Sequence, residues 1–187
     1  MSGLFPAFAA LLLLHLTDRP PMLAARLGER FGNILSVLAG LAVAHGLAAF
    51  LSALFAGAVQ PAMPGAARAL LTGIALIVAG VAGLIPMRRL DALDQWRTGG
   101  FVTALLGGFS LIWGDRAYFL LFALAVAAPV PWVAAVGGWI GAMGAAFIAM
   151  ALGERAWDRV PRRWLRPAIA IAALIPGGVL TVRALLP

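Results

Sequence analysis

Long apolar runs separated by short polar breaks divide the chain into six segments. Four of them match the roughly 20 residues a helix needs to cross the hydrocarbon of a bilayer: Ile34 to Gly57, Ala66 to Ile85, Pro131 to Leu152 and Pro167 to Leu186. The other two, Leu4 to Thr17 and Phe101 to Gly114, are too short to span alone. Each runs into an Asp-Arg pair, Asp18-Arg19 or Asp115-Arg116, and is followed by a second helical stretch, about Pro20 to Phe31 and Ala117 to Ala128. This pattern predicts broken helices. Pro20 and Pro21 have no amide hydrogen to give the preceding turn, which enforces the first break, and Gly114 permits the second.

The two Asp-Arg pairs lie 97 positions apart, and the same offset relates much of the chain. It places Gly40 on Gly137, Ala48-Ala49-Phe50 on Ala145-Ala146-Phe147, Pro64 on Pro161 and Gly80 on Gly177. A duplicated unit is expected, with residues 1–97 and 98–187 as the two copies. Three helices per copy, an odd number, turn the second copy upside down relative to the first. The expected fold is an all-α integral membrane protein of six transmembrane helices in two inverted three-helix repeats, the first helix of each broken at Asp-Arg.

Composition fixes the solvent. With 63% hydrophobic and 11% charged residues among 187, the chain has more apolar surface than a soluble core of this size hides. The net charge of +7 does not point to nucleic acid, because the 14 basic residues are all Arg and cluster at the ends of apolar runs. The absence of cysteine excludes disulfides, iron-sulfur clusters and thiolate zinc sites. Phe5 to Leu14 is short enough to resemble a signal peptide, but its internal copy, Phe101 to Trp113, marks it as part of the fold.

Counting Arg in the connections gives an orientation. One side holds Arg26, Arg30, Arg88, Arg89, Arg97, Arg155, Arg159, Arg162, Arg163 and Arg166, the other only Arg68 and Arg183. The crowded side is expected to be cytoplasmic, with both termini outside. Arg-only basic usage with abundant Ala suggests a GC-rich bacterial genome, so the expected membrane is a bacterial inner membrane. The polar stretches Met87 to Gly99 and Glu154 to Arg166, with Trp96, Trp157 and Trp164 interleaved, are expected as solvated loops or interfacial turns.

Few polar side chains fall within apolar sequence, and an ionisable group there costs a few kcal/mol or more unless paired or hydrated. Asp18, Arg19, Asp115 and Arg116 are therefore the candidate site, since an inverted duplication brings Asp18 and Asp115 together near mid-membrane to hold one cation or share a proton. His15, three residues before Asp18, joins them as a metal ligand or proton relay if both share a helix face. Thr17, Gly114 and His45 are supporting candidates. A structural use competes with this reading, in which Asp18 and Asp115 cap the helix breaks and each is neutralised by the adjoining Arg. No phosphate loop, metalloprotease pattern or nucleophile elbow is present, so an enzyme is not expected.

The stretches His15-Leu16-Thr17-Asp18-Arg19-Pro20 and Ile112-Trp113-Gly114-Asp115-Arg116-Ala117 resemble the E-x-G-D-[KR]-[ST] motif of the Golgi-type calcium/manganese-proton antiporters, uncharacterised protein family sixteen. The sequence from Met22 to Arg26 and on to Arg30-Phe31-Gly32 is also similar. The resemblance implies a secondary transporter exchanging a divalent cation, manganese or calcium, for protons. It implies the lipid bilayer, the metal ion and protons as partners, no bound cofactor and no nucleic acid, with homo-oligomers left open. Its motif is degenerate here: His15 and Ile112 replace both glutamates, and Pro20 and Ala117 replace both hydroxyl residues. A site of His15, Asp18 and Asp115 suits manganese or a later transition metal better than calcium, which prefers several hard oxygens. Two other readings stay open, a non-transporting scaffold or subunit that keeps the fold, and an exporter of another small solute that uses Arg19 or Arg116.

Overall fold

The computed structural model of the chain describes residues 2–86 and 93–186. Its regular elements are α1 (Leu4–Leu16), α2 (Arg19–Phe31), α3 (Ile34–Val59), α4 (Gly65–Leu84), α5 (Gly100–Ile112), α6 (Arg116–Ala127), α7 (Pro131–Asp158) and α8 (Arg162–Leu185), with a 3₁₀ turn at Gln60–Ala62. Shifted by 97 residues, the starts of α2, α3 and α4 fall on those of α6, α7 and α8, and that of α1 falls one residue from that of α5. Arg88 and Arg89, expected in a basic connection, lie outside the described residues.

α3, α4, α7 and α8 are long and apolar enough to cross a membrane, and α5 with α6, bent by 73° at their break, make a fifth candidate span. The other broken pair differs in character. α1 is short and apolar, whereas α2 carries Arg19, Arg26, Glu29 and Arg30 and buries one face through Leu23, Ala24 and Leu27. Both breaks form where expected. Arg19 is followed by Pro20 and Pro21 in the first turn of α2, and Gly114 adopts a φ of 75° that favours glycine.

The segment 154–166 corrects the expectation of a solvated connection. α7 continues past Leu152 to Asp158, and α8 begins at Arg162 rather than Pro167. α7 kinks at Gly153, whose φ of 75° and ψ of 167° are a glycine conformation. The kink frees the amide of Glu154, which donates to Glu29 Oε1 of α2 at 2.7 Å, and Arg26 Nε donates to Glu154 Oε1 at 2.9 Å. This redirected last turn presses Trp157 against Leu16, Met22 and Ala25, leaving its residue 2% exposed. Trp164, in contrast, is 69% exposed, as a membrane-border residue should be.

The main helix contacts follow the 97-residue shift: α1 lies along α7 and α5 along α3, and α4 packs along α8. Glycines make these crossings close. A Cβ on Gly40 would strike the carbonyl oxygen of Phe101, and one on Gly137 would strike that of Leu4; the 97-residue shift exchanges the two pairs. Gly80 on Ala170 and Gly177 on Gly73 are exchanged in the same way. Small residues thus let backbones touch where side-chain burial from water offers no drive. One pair of helix contacts departs from the shift. α4 packs against α6, with Thr72 Oγ1 donating to Ala123 O at 3.4 Å, while α8 stands off from α2.

Candidate functional site at the two helix breaks

A cavity of about 380 Å³ is lined by both Asp-Arg pairs together with Ser110 and Arg166. The residues picked from the repeat, Asp18, Arg19, Asp115 and Arg116, therefore face one space, and Gly114 lines it too. Arg166, from the start of α8, was not singled out in the sequence, where it reads as one more basic residue of a connection. Thr17 closes α1, its Oγ1 donating to Leu14 O at 3.2 Å.

The two aspartates occupy equivalent N-cap positions and do different things. Asp115 Oδ1 accepts from the amide of Ala117, the second residue of α6, at 3.2 Å, an ordinary N-cap bond. Asp18 has no such donor, because the second and third residues of α2 are Pro20 and Pro21. Its carboxylate turns to the other half of the molecule, where Oδ2 accepts from Arg116 Nη2 at 3.1 Å and Nε at 3.2 Å. Arg116 Nη1 also donates to Ala79 O of α4 at 3.0 Å. One guanidinium thus joins the starts of α2 and α6 to α4, with the Arg116 and Asp18 side chains only 9% and 13% exposed.

This geometry corrects the expectation that each Asp is neutralised by the Arg beside it. Side chains of consecutive residues diverge, and the Asp18 partner is the Arg of the opposite motif. The mirror pair, Arg19 with Asp115, is not formed, and Arg19 makes no ion pair among the described residues.

His15 is placed differently from expectation. α1 ends at Leu16, so the helical spacing that would align His15 with Asp18 is interrupted between them. His15 is fully buried, its Nδ1–H donating to Leu11 O at 2.9 Å, and its ring lies 5.4 Å from that of His45 and 5.9 Å from that of Tyr118. His45 Nδ1 in turn meets the Tyr118 hydroxyl at 2.5 Å. Tyr118, the single tyrosine of the chain, was missed in the sequence; its position one turn after Asp115 was the available signal. The Nε2 atoms of both histidines are buried without a hydrogen-bond partner. Among the described residues no three His, Asp or Glu side chains form a group that could hold a metal ion.

Comparison with known proteins agrees with the motif. Residues 100–186, which cover α5 to α8, match the family model described as divalent cation/proton antiporter GDT1. No curated protein and no solved structure matches the chain.

Proposed function

We propose that the chain is a secondary transporter that exchanges a divalent cation, manganese in preference to calcium, for protons. The observation that carries this reading is the single cavity lined by Asp18 and Asp115 from the two equivalent helix breaks. The cation is held between these carboxylates, with water and backbone carbonyls completing its shell. Manganese is favoured because the motif glutamates and hydroxyls are absent here, which leaves too few hard oxygens for calcium. His15, with His45 and Tyr118, forms a buried polar cluster one turn from each Asp and serves as the proton relay.

In this reading residues 1–97 and 98–187 are two inverted three-helix units, and α1 with α2 cross the membrane as the partner of α5 with α6. The exchanged glycine contacts support the duplication. The end that carries Arg26, Arg30, Arg162 and Arg166 faces the cytoplasm of a bacterial cell, with both termini on the far side of its inner membrane.

Thermal unfolding of the purified protein in detergent with manganese, calcium, zinc or buffer tests the proposal. Manganese at about 100 times its dissociation constant should stabilise the folded state by about 2.7 kcal/mol, and Asp18→Asn should remove that gain. If no divalent cation raises the unfolding temperature, the protein is no cation carrier and the scaffold reading replaces this one.

A further inference from the structure

The two helix breaks are equivalent in sequence position but not in chemistry, and the difference assigns a role to one arginine. Asp115 is satisfied locally by the Ala117 amide, two residues on in its own helix. Asp18 cannot be satisfied locally, since the first turn of α2 offers it two prolines. A nearly buried carboxylate without a hydrogen-bond donor or counter-charge is costly, so Asp18 in its ionised form requires a positive partner from elsewhere in the chain or from solution. In this structure that partner is Arg116, through two N–H bonds to one carboxylate oxygen.

We infer that Arg116 is a tethered competitor of the transported cation, holding Asp18 when the cation is absent and releasing it when the cation binds. This inference rests on the antiport reading and names the residue that neutralises Asp18 while the cation is away; the protons exchanged are carried by other groups, because a guanidinium stays protonated. A divalent ion beside Asp18 and a guanidinium on the same oxygen repel each other, so the two occupancies exclude one another. Release has a structural consequence as well, because the same guanidinium holds Ala79 O on α4. Cation arrival thus loosens the contact of α4 with α6, the place where the packing of the two halves differs. Arg19, the mirror residue, lines the same cavity and makes no ion pair among the described residues.

The test is manganese binding to the full chain in detergent or nanodiscs, followed by calorimetry or by the paramagnetic resonance of the ion. Arg116→Gln should bind manganese about tenfold more tightly than the unaltered protein, with proton-driven uptake slowed because the ion loses one of its competitors for Asp18. Arg19→Gln should stay within about twofold, as expected for a residue with no hold on Asp18. Arg116→Lys keeps the charge but loses the fork geometry, so it should give an intermediate gain and serves if the glutamine variant does not fold. An arginine that only braces the fold would lower stability without raising affinity. Equal or weaker binding by the folded Arg116 variants, with flux intact in the unaltered protein, overturns the competitor and leaves the antiport reading standing. Tighter binding by Arg116→Gln in a protein that shows no proton-driven flux supports the competitor and removes the antiport reading. Absence of manganese binding in every variant overturns both.

Discussion

Gly141→Leu is expected to leave little folded protein. Gly141 sits at the crossing of α7 with α1, where a Cβ would run into the carbonyl oxygen of Phe8 and approach the Leu12 amide, both of them backbone atoms that no rotamer change can move aside. Gly137 meets Leu4 in the same way one turn earlier, so a side chain at either position forces the two helices apart along their whole contact. Overpacking of this kind costs about 3 kcal/mol or more, and most of the stability of a domain is only about 5–15 kcal/mol. Gly40, against Phe101 on the equivalent α3–α5 crossing, should be as intolerant. Gly57 is the internal control: nothing lies within 4 Å of its would-be Cβ, and Gly57→Ala should be neutral or stabilise α3 by up to about 1 kcal/mol. Thermal unfolding in detergent, with elution profile as a check on aggregation, separates the two outcomes. A Gly141→Leu protein as stable as its parent would mean that α1 and α7 do not cross this closely.

Trp157→Ala is expected to cost about 3–5 kcal/mol, the range for truncating a fully buried aromatic side chain. Trp157 is the largest fully buried side chain and fills the space between the last turn of α7 and the residues Leu16, Met22 and Ala25 of α1 and α2. Its position depends on Gly153, where any other residue would be strained by about 1–3 kcal/mol and would meet Glu29 Oε1 at 2.6 Å. Trp164→Ala, at an exposed position of α8, should change stability by no more than about 0.5 kcal/mol. The contrast in unfolding temperature between the two tryptophan variants checks the burial directly; equal effects would return Trp157 to the interface.

That contrast also shows where sequence reasoning stops. The breaks after Thr17 and at Gly114 were legible because their causes are local: two prolines with no amide hydrogen, and a glycine free to take positive φ. The long spans were legible from the length of their apolar runs. The continuation of α7 beyond Leu152 was not, because Gly153-Glu154-Arg155 reads as a polar stop, and the amide that the kink exposes is satisfied by Glu29, far away in the chain. The expected alignment of His15 with Asp18 failed for the opposite reason, a helix that ends at Leu16, two residues short of Asp18, so the spacing rule does not apply.

At the candidate site, the residues were legible and their partners were not. Two Asp-Arg pairs at one offset single out four side chains that do share a cavity, but nothing in the sequence says that Asp18 is held by Arg116 rather than Arg19. The reason is partly visible in hindsight. Pro20 stands where the second copy has Ala117, so only one of the two aspartates can cap its own helix.

Proton-driven manganese flux into proteoliposomes, compared for the unaltered protein, Asp18→Asn and Asp115→Asn, tests most directly whether the two breaks form one exchange site. Asparagine keeps the size of the side chain and, at Asp115, the acceptor for the Ala117 amide; at Asp18 it still offers an oxygen to Arg116 but removes the counter-charge, so thermal unfolding and elution profile establish that each variant is folded before flux is compared. Flux driven by a pH gradient in the unaltered protein and absent from both variants is the predicted result. Equal flux in all three proteins would contradict it.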